Sequence, residues 1–94
     1  MKIIWTNPAL SDLIAIQDYI AQENPSAAYD VACRIKNAIS QLSQFPEMGR
    51  EGRVSNTREL IISNTPYIAP YEIDHDRLYV LAIFHASQKW PERF

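Results

Sequence analysis

Ninety-four residues, 47% hydrophobic and 21% charged, bound the chain to one domain with a modest core that needs no metal or disulfide, and exclude a disordered chain. The formal net charge of −2 lacks the basic excess expected of a protein that grips a phosphate backbone unaided. A single cysteine, Cys33, gives neither an internal bridge nor a zinc cluster, and no apolar stretch reaches membrane-span length. A cytoplasmic protein without cofactor, metal or membrane contact is expected.

The first element is a short strand over Lys2–Thr6. Asn7-Pro8 then signals a helix start, with Asn as cap and Pro in the first turn, where its missing N–H costs nothing. Leu10, Leu13, Ile14, Ile16 and Ile20 follow at helical spacing, and this helix runs to about Gln22. Asn24-Pro25 repeats the start signal. Ala28, Val31, Ile35, Ala38, Ile39 and Leu42 form the apolar stripe of a second helix, with Asp30, Arg34 and Lys36 on other faces. Cys33 lies in mid-helix with no base nearby in sequence, which suits a core residue better than a nucleophile. Phe45-Pro46 ends the helix, and the short connection between the two predicts an antiparallel helical hairpin.

Pro46–Asn56 holds both glycines, Gly49 and Gly52, and two arginines, Arg50 and Arg53. It is either a surface with a task or a solvated connection whose glycines set two turns. Three strands follow, Arg58–Ser63, Tyr67–Ile73 and Leu78–Phe84, joined by Asn64-Thr65-Pro66 and Asp74-His75-Asp76. Pro70 cannot donate to a ladder, so a bulge or an unpaired edge is expected beside it. Leu78–Phe84 is unbroken apolar sequence, the pattern of a strand buried on both faces, from which His85 emerges as the first ionisable group. The order β-α-α-β-β-β makes an α+β fold, a helical hairpin packed on one face of a small, mainly antiparallel sheet. In the tail, Trp90 and Phe94 either fold back onto the body or, with Lys89 and Arg93, form part of a partner surface.

Gln44-Phe45-Pro46-Glu47-Met48-Gly49-Arg50, Thr57-Arg58-Glu59-Leu60 and Phe84-His85-Ala86-Ser87, in this element order, resemble the RelE/ParE superfamily of toxin–antitoxin toxins, the closer likeness being to the ParE-like branch. The resemblance covers nearly the whole chain. It implies a plasmid-stabilisation type toxin in a hetero-oligomer with a co-produced antitoxin, which wraps it as helix and extended strand; release arrests growth. RelE-like members are ribosome-dependent endoribonucleases that activate a 2′-hydroxyl of mRNA. They need a base, an acid and a cation over the phosphorane. ParE-like members share the fold and act on DNA gyrase.

His85 stands where several of the nucleases place a titrating residue, although ParE-like members also tend to carry His in this context. The nucleases resemble one another in a Tyr-Arg-x-x-Tyr pattern on the middle strand. Here it reads Tyr67-Ile68-Ala69-Pro70-Tyr71. Isoleucine cannot stabilise a phosphorane, and losing one such cation costs a factor of about 100 or more in rate. A nuclease would therefore have to combine His85 and Tyr71 with Arg58 or Arg53. Together with the net charge, this favours a non-catalytic gyrase inhibitor over a nuclease acting on the ribosome and mRNA, and no catalytic residue is assigned. Candidate contacts with antitoxin or target are Trp5, Leu10, Leu13, Ile14, Arg50, Arg53, Lys89, Trp90 and Arg93.

Overall fold

Thr6, rather than Asn7, caps the first helix: its hydroxyl accepts the Ala9 N–H at 3.4 Å and donates to the Val80 carbonyl at 2.7 Å. One side chain thus starts a helix and ties it to the sheet. In the computed structural model, which describes residues 1–94, strand β1 (Lys2–Trp5) leads into helix α1 (Asn7–Ala21). Asn24 accepts the Ala27 N–H at 3.1 Å and caps α2 (Pro25–Ser40), with Pro25 in its first turn. The second helix gives way to a 3-10 turn over Gln41–Ser43, short of the Phe45-Pro46 stop expected from sequence. Strands β2 (Arg50–Glu51), β3 (Arg58–Ile61), β4 (Tyr67–Asp74), β5 (Arg77–Val80) and β6 (Phe84–His85) complete the chain.

The strands form one sheet in the order β1-β5-β4-β3-β2, with β6 pairing to the first half of β4. All pairs are antiparallel except β1 with β5. The helical hairpin covers one face. Its Leu13, Ile35 and Ile39, with Leu42 of the 3-10 turn, pack with Leu60, Tyr71, Leu78 and Val80 of the sheet, each large aliphatic residue contributing about 1.5–3 kcal/mol by leaving water.

The apolar run at Leu78–Phe84 is buried or half-buried throughout but is not one strand. Tyr71 faces Val80 while Ile68 faces Phe84, so Ala69 and Pro70 oppose three residues, Leu81, Ala82 and Ile83. The bulge expected at Pro70 therefore lies on the opposing segment. The Leu81 N–H donates to the Pro70 carbonyl at 2.9 Å, which turns that edge of Pro70, the one lacking a donor, toward the bulge. The Ile83 N–H leaves the ladder altogether and donates to Asp12 Oδ2 on α1 at 2.9 Å.

Neither glycine has positive φ; that conformation falls to Asn56, Asn64 and His75 in the turns, where short polar side chains tolerate it. The glycines serve close approach instead. A Cβ at Gly49 would lie 2.6 Å from the Tyr71 hydroxyl oxygen, and one at Gly52 only 2.7 Å from the Thr57 carbonyl oxygen.

Candidate functional site: a clamped loop, a histidine cleft and an open strand edge

The loop between α2 and β3 is held from below by three residues of the sheet. Tyr71, fully buried on β4, donates its hydroxyl to the Pro46 carbonyl at 2.7 Å and accepts the Gly49 N–H at 2.9 Å. Burial pushes its phenol above the ordinary range, only partly offset by the Gly49 N–H and the Arg58 charge, so it stays a donor. Arg58 donates to the carbonyls of Gly49 at 2.9 Å and Glu47 at 3.3 Å.

Glu59 is the third anchor and is 2% exposed. It sits on the sheet face away from the helices, opposite Pro70. Oε1 accepts the Arg50 Nε–H at 2.9 Å, and Oε2 accepts the Arg53 backbone N–H at 2.8 Å and its Nε–H at 3.3 Å. Burial alone would raise this carboxyl. The Arg53 N–H, the Arg50 hydrogen bond and the two guanidinium charges outweigh it and hold the group below the ordinary range. Arg50 and Arg53 are thereby ion-paired to Glu59 although their side chains stay nearly half exposed, and the Arg53 guanidinium lies 3.8 Å over the Trp90 ring. Lys89 and Arg93 are exposed and form no ion pair. Trp90 folds back, edge-on to Phe84 at 4.9 Å between centroids.

His85 lies elsewhere. It pairs with Tyr67 at the start of β4, ring centroids 5.7 Å apart, in a cleft of about 450 Å³ lined by Ala15, Ile16, Tyr19, Tyr67, Ile83 and Gln88. The Ser87 N–H donates to His85 Nδ1 at 3.1 Å, with the Ser87 hydroxyl 2.8 Å from the same atom. An amide hydrogen on Nδ1 places the ring proton on Nε2. Burial and the neighbouring Tyr19 hydroxyl raise the Tyr67 phenol. No Arg or Lys lines this cleft. Tyr71 and Arg58 instead line a separate hollow with Glu51, Asn56, Thr57 and Ile73; on β4, Tyr71 is four positions from Tyr67, roughly 13 Å of extended strand. The four residues a nuclease would have to combine are thus divided among three places: His85 in its cleft, Tyr71 and Arg58 in this hollow, and Arg53 beside Glu59 and Trp90. Ile68, in the position where the nucleases carry Arg, is buried against Phe84.

Of the expected contact residues near α1, Leu10 and Ile14 are exposed (43% and 58%), whereas Leu13 belongs to the core and Trp5, on β1, packs half-buried against it. A second open surface, a sheet edge beside a groove of the kind that an extended antitoxin segment is expected to use, lies at β3, a place the sequence did not single out. Strand β2 pairs only with Arg58 and Glu59, leaving β3 from Leu60 onward without a neighbour on that side. A groove of about 690 Å³ runs between this edge and α2, lined by Arg34, Asn37, Ala38, Gln41, Met48 and Ile61 among others. Glu59 was missed as well. The only signal was an acidic residue in a strand that follows a loop with two arginines.

The family model of the ParE toxin of the parDE type II toxin–antitoxin system matches residues 3–90. "Putative toxin Y4kP" of Sinorhizobium fredii is 43% identical over 91 residues, covering 97% of this chain and 94% of that protein. Toxin RelE2 of Caulobacter vibrioides is 38% identical over 87 residues, covering 93% and 97%. Among solved structures, a chain of the chromosomal ParDE system from P. aeruginosa superposes with a TM-score of 0.85 at 27% identity, over 90% of this chain and 95% of that one. A match over nearly the whole chain, in sequence and in fold, makes this protein a member of the ParE toxin family, within the RelE/ParE superfamily of type II toxin–antitoxin toxins.

Proposed function

We propose that the chain inhibits DNA gyrase by binding it as a protein, without catalysis, and is neutralised by its cognate antitoxin. The observation that carries this reading is that no Arg or Lys lines the His85 cleft. Arg50 and Arg53 are engaged by Glu59, and Arg58 by loop carbonyls, so none is poised over a ribonucleotide linkage with the imidazole. Stabilising the charge of a phosphorane is the largest demand of that reaction, and His85 with two tyrosines does not meet it.

The antitoxin has two surfaces that fit its expected helix and strand. Leu10 and Ile14 offer an exposed apolar stripe on α1 for a helix. The open edge of β3 offers unpaired backbone to an extended segment: the Ile62 N–H turns inward to Tyr67, so by strand alternation that of Ile61 turns toward the groove. Arg34 and Arg50 against the single carboxylate of Glu59 leave that groove net positive, which suits an acidic segment.

The alternative, a ribosome-dependent mRNA endoribonuclease with His85 as general acid or base, draws on the exposed imidazole and on the name RelE2 carried by one relative. Purified protein is added to a gyrase supercoiling reaction and to a translation reaction with mapping of mRNA ends. Loss of supercoiling without codon-positioned cuts is the expected result, and His85→Ala should keep it. Cuts with normal supercoiling would discard the gyrase reading.

A further inference from the structure

Gln88 is the last residue held by hydrogen bonds. Its N–H donates to the His85 carbonyl at 2.9 Å, and its side-chain oxygen accepts the His85 N–H at 3.2 Å. Just before it, the Ala86 N–H is fixed on the Pro66 carbonyl at 2.8 Å. Lys89–Phe94 makes no hydrogen bond or ion pair with the rest of the chain. Its specific contacts are made by rings: Trp90 edge-on to Phe84 at 4.9 Å, Phe94 stacked on Phe84 at 6.0 Å, and Arg53 lying 3.8 Å over Trp90. The seat carries a penalty too, because Trp90 Nε1 is buried with no acceptor. Lifting the segment returns that donor to water.

We propose that Lys89–Phe94 is a displaceable strap, hinged at Ala86–Gln88 and closed by the contacts of Trp90 with Phe84 and Arg53. Its seat is built before it closes. Glu59 fixes Arg53 through both its backbone N–H and its guanidinium, so the cation keeps its place when the strap leaves. Opening also spares the main core, which lies on the other face of the sheet. A segment with few buried contacts and no main-chain hydrogen bonds belongs to the part of a structure that opens first. Opening exposes Phe84, Trp90 and Phe94 to water, while Arg53 stays on Glu59.

Trp5→Phe makes Trp90 the sole indole and lets fluorescence report on the strap. In that background Arg53→Ala is expected to shift Trp90 emission to the red and raise its acrylamide quenching toward that of the urea-unfolded chain, with far-UV circular dichroism unchanged. A chain ending at Gln88 should fold with the same circular dichroism. Emission and quenching unmoved by Arg53→Ala in a folded protein would overturn the proposal. So would collapse of the truncated chain, since the segment would then be part of the core.

Discussion

Removing one oxygen atom at Tyr71 tests whether the α2–β3 loop is held from beneath. In Tyr71→Phe the buried Gly49 N–H loses its acceptor and the Pro46 carbonyl loses its donor. Gly49 is buried, so its N–H does not simply return to bulk water when the hydroxyl is removed. An unsatisfied buried donor costs about 1–3 kcal/mol. Pro46 is half-exposed, which lets its carbonyl regain water, so it adds little. A loss of about 2 kcal/mol follows, lowering Tm by roughly 8–16 °C in a domain of this size. Urea unfolding at neutral pH, with an unchanged m value, measures it. Hydrogen exchange should show the Gly49 amide as the most accelerated position. Arg58→Ala releases the Gly49 carbonyl from the other side, so the double mutant should fall short of the sum of the two single losses. A change below about 0.5 kcal/mol, the range of ordinary surface substitutions, would refute the clamp.

Glu59 gives the protein an acid-sensitive joint. Its folded pKa lies below its unfolded value, so its contribution is fully present above about pH 4.3, the unfolded range, and is lost as pH falls through the folded value. Glu59→Gln should flatten this part of the stability–pH curve, and an equally steep acid limb would assign it to other carboxylates. On α1, Leu13→Ala should cost about 2–5 kcal/mol as a core truncation, while Ile14→Ala should stay within about 0.5 kcal/mol; similar losses in urea titrations would contradict the exposed stripe. At the sheet edge, Ile61→Glu should leave stability nearly unchanged, because the side chain is 55% exposed, while opposing an acidic segment. Titration calorimetry should find antitoxin affinity at least about tenfold weaker, a charge being one way in which edges resist strand addition; undiminished affinity would place the antitoxin elsewhere.

The helices were legible because their signals are local. Asn24-Pro25 and the Ile35, Ile39, Leu42 stripe fix a start and a buried face within one segment. The shift of the first cap from Asn7 to Thr6 is the kind of error local reading makes, since the Thr6 hydroxyl is placed by Val80, far along the chain. The candidate site was legible only as residue types. Arg50, Arg53 and Arg58 read as free cations, and their availability depended on Glu59 and on two loop carbonyls that the sequence does not bring together. Exposure on α1 divided Leu10 and Ile14 from Leu13, three residues that one apolar pattern had grouped.

Leu78–Phe84 marks the limit most clearly. An apolar run specifies burial, and burial is what the structure delivers, but pairing is decided by donors and acceptors that hydropathy does not register. Opposite the run stands Pro70, with no N–H to offer. Beneath it stands Asp12, whose carboxylate takes the Ile83 N–H from 71 positions earlier in the chain. Between them these two residues break the strand, displace the register by one residue and return it to β4 as Phe84–His85. His85 therefore pairs with Tyr67 rather than continuing the line of β5. The same displacement leaves the imidazole in a cleft with tyrosines and no cation, so the pairing around a proline decides which chemistry the histidine can support.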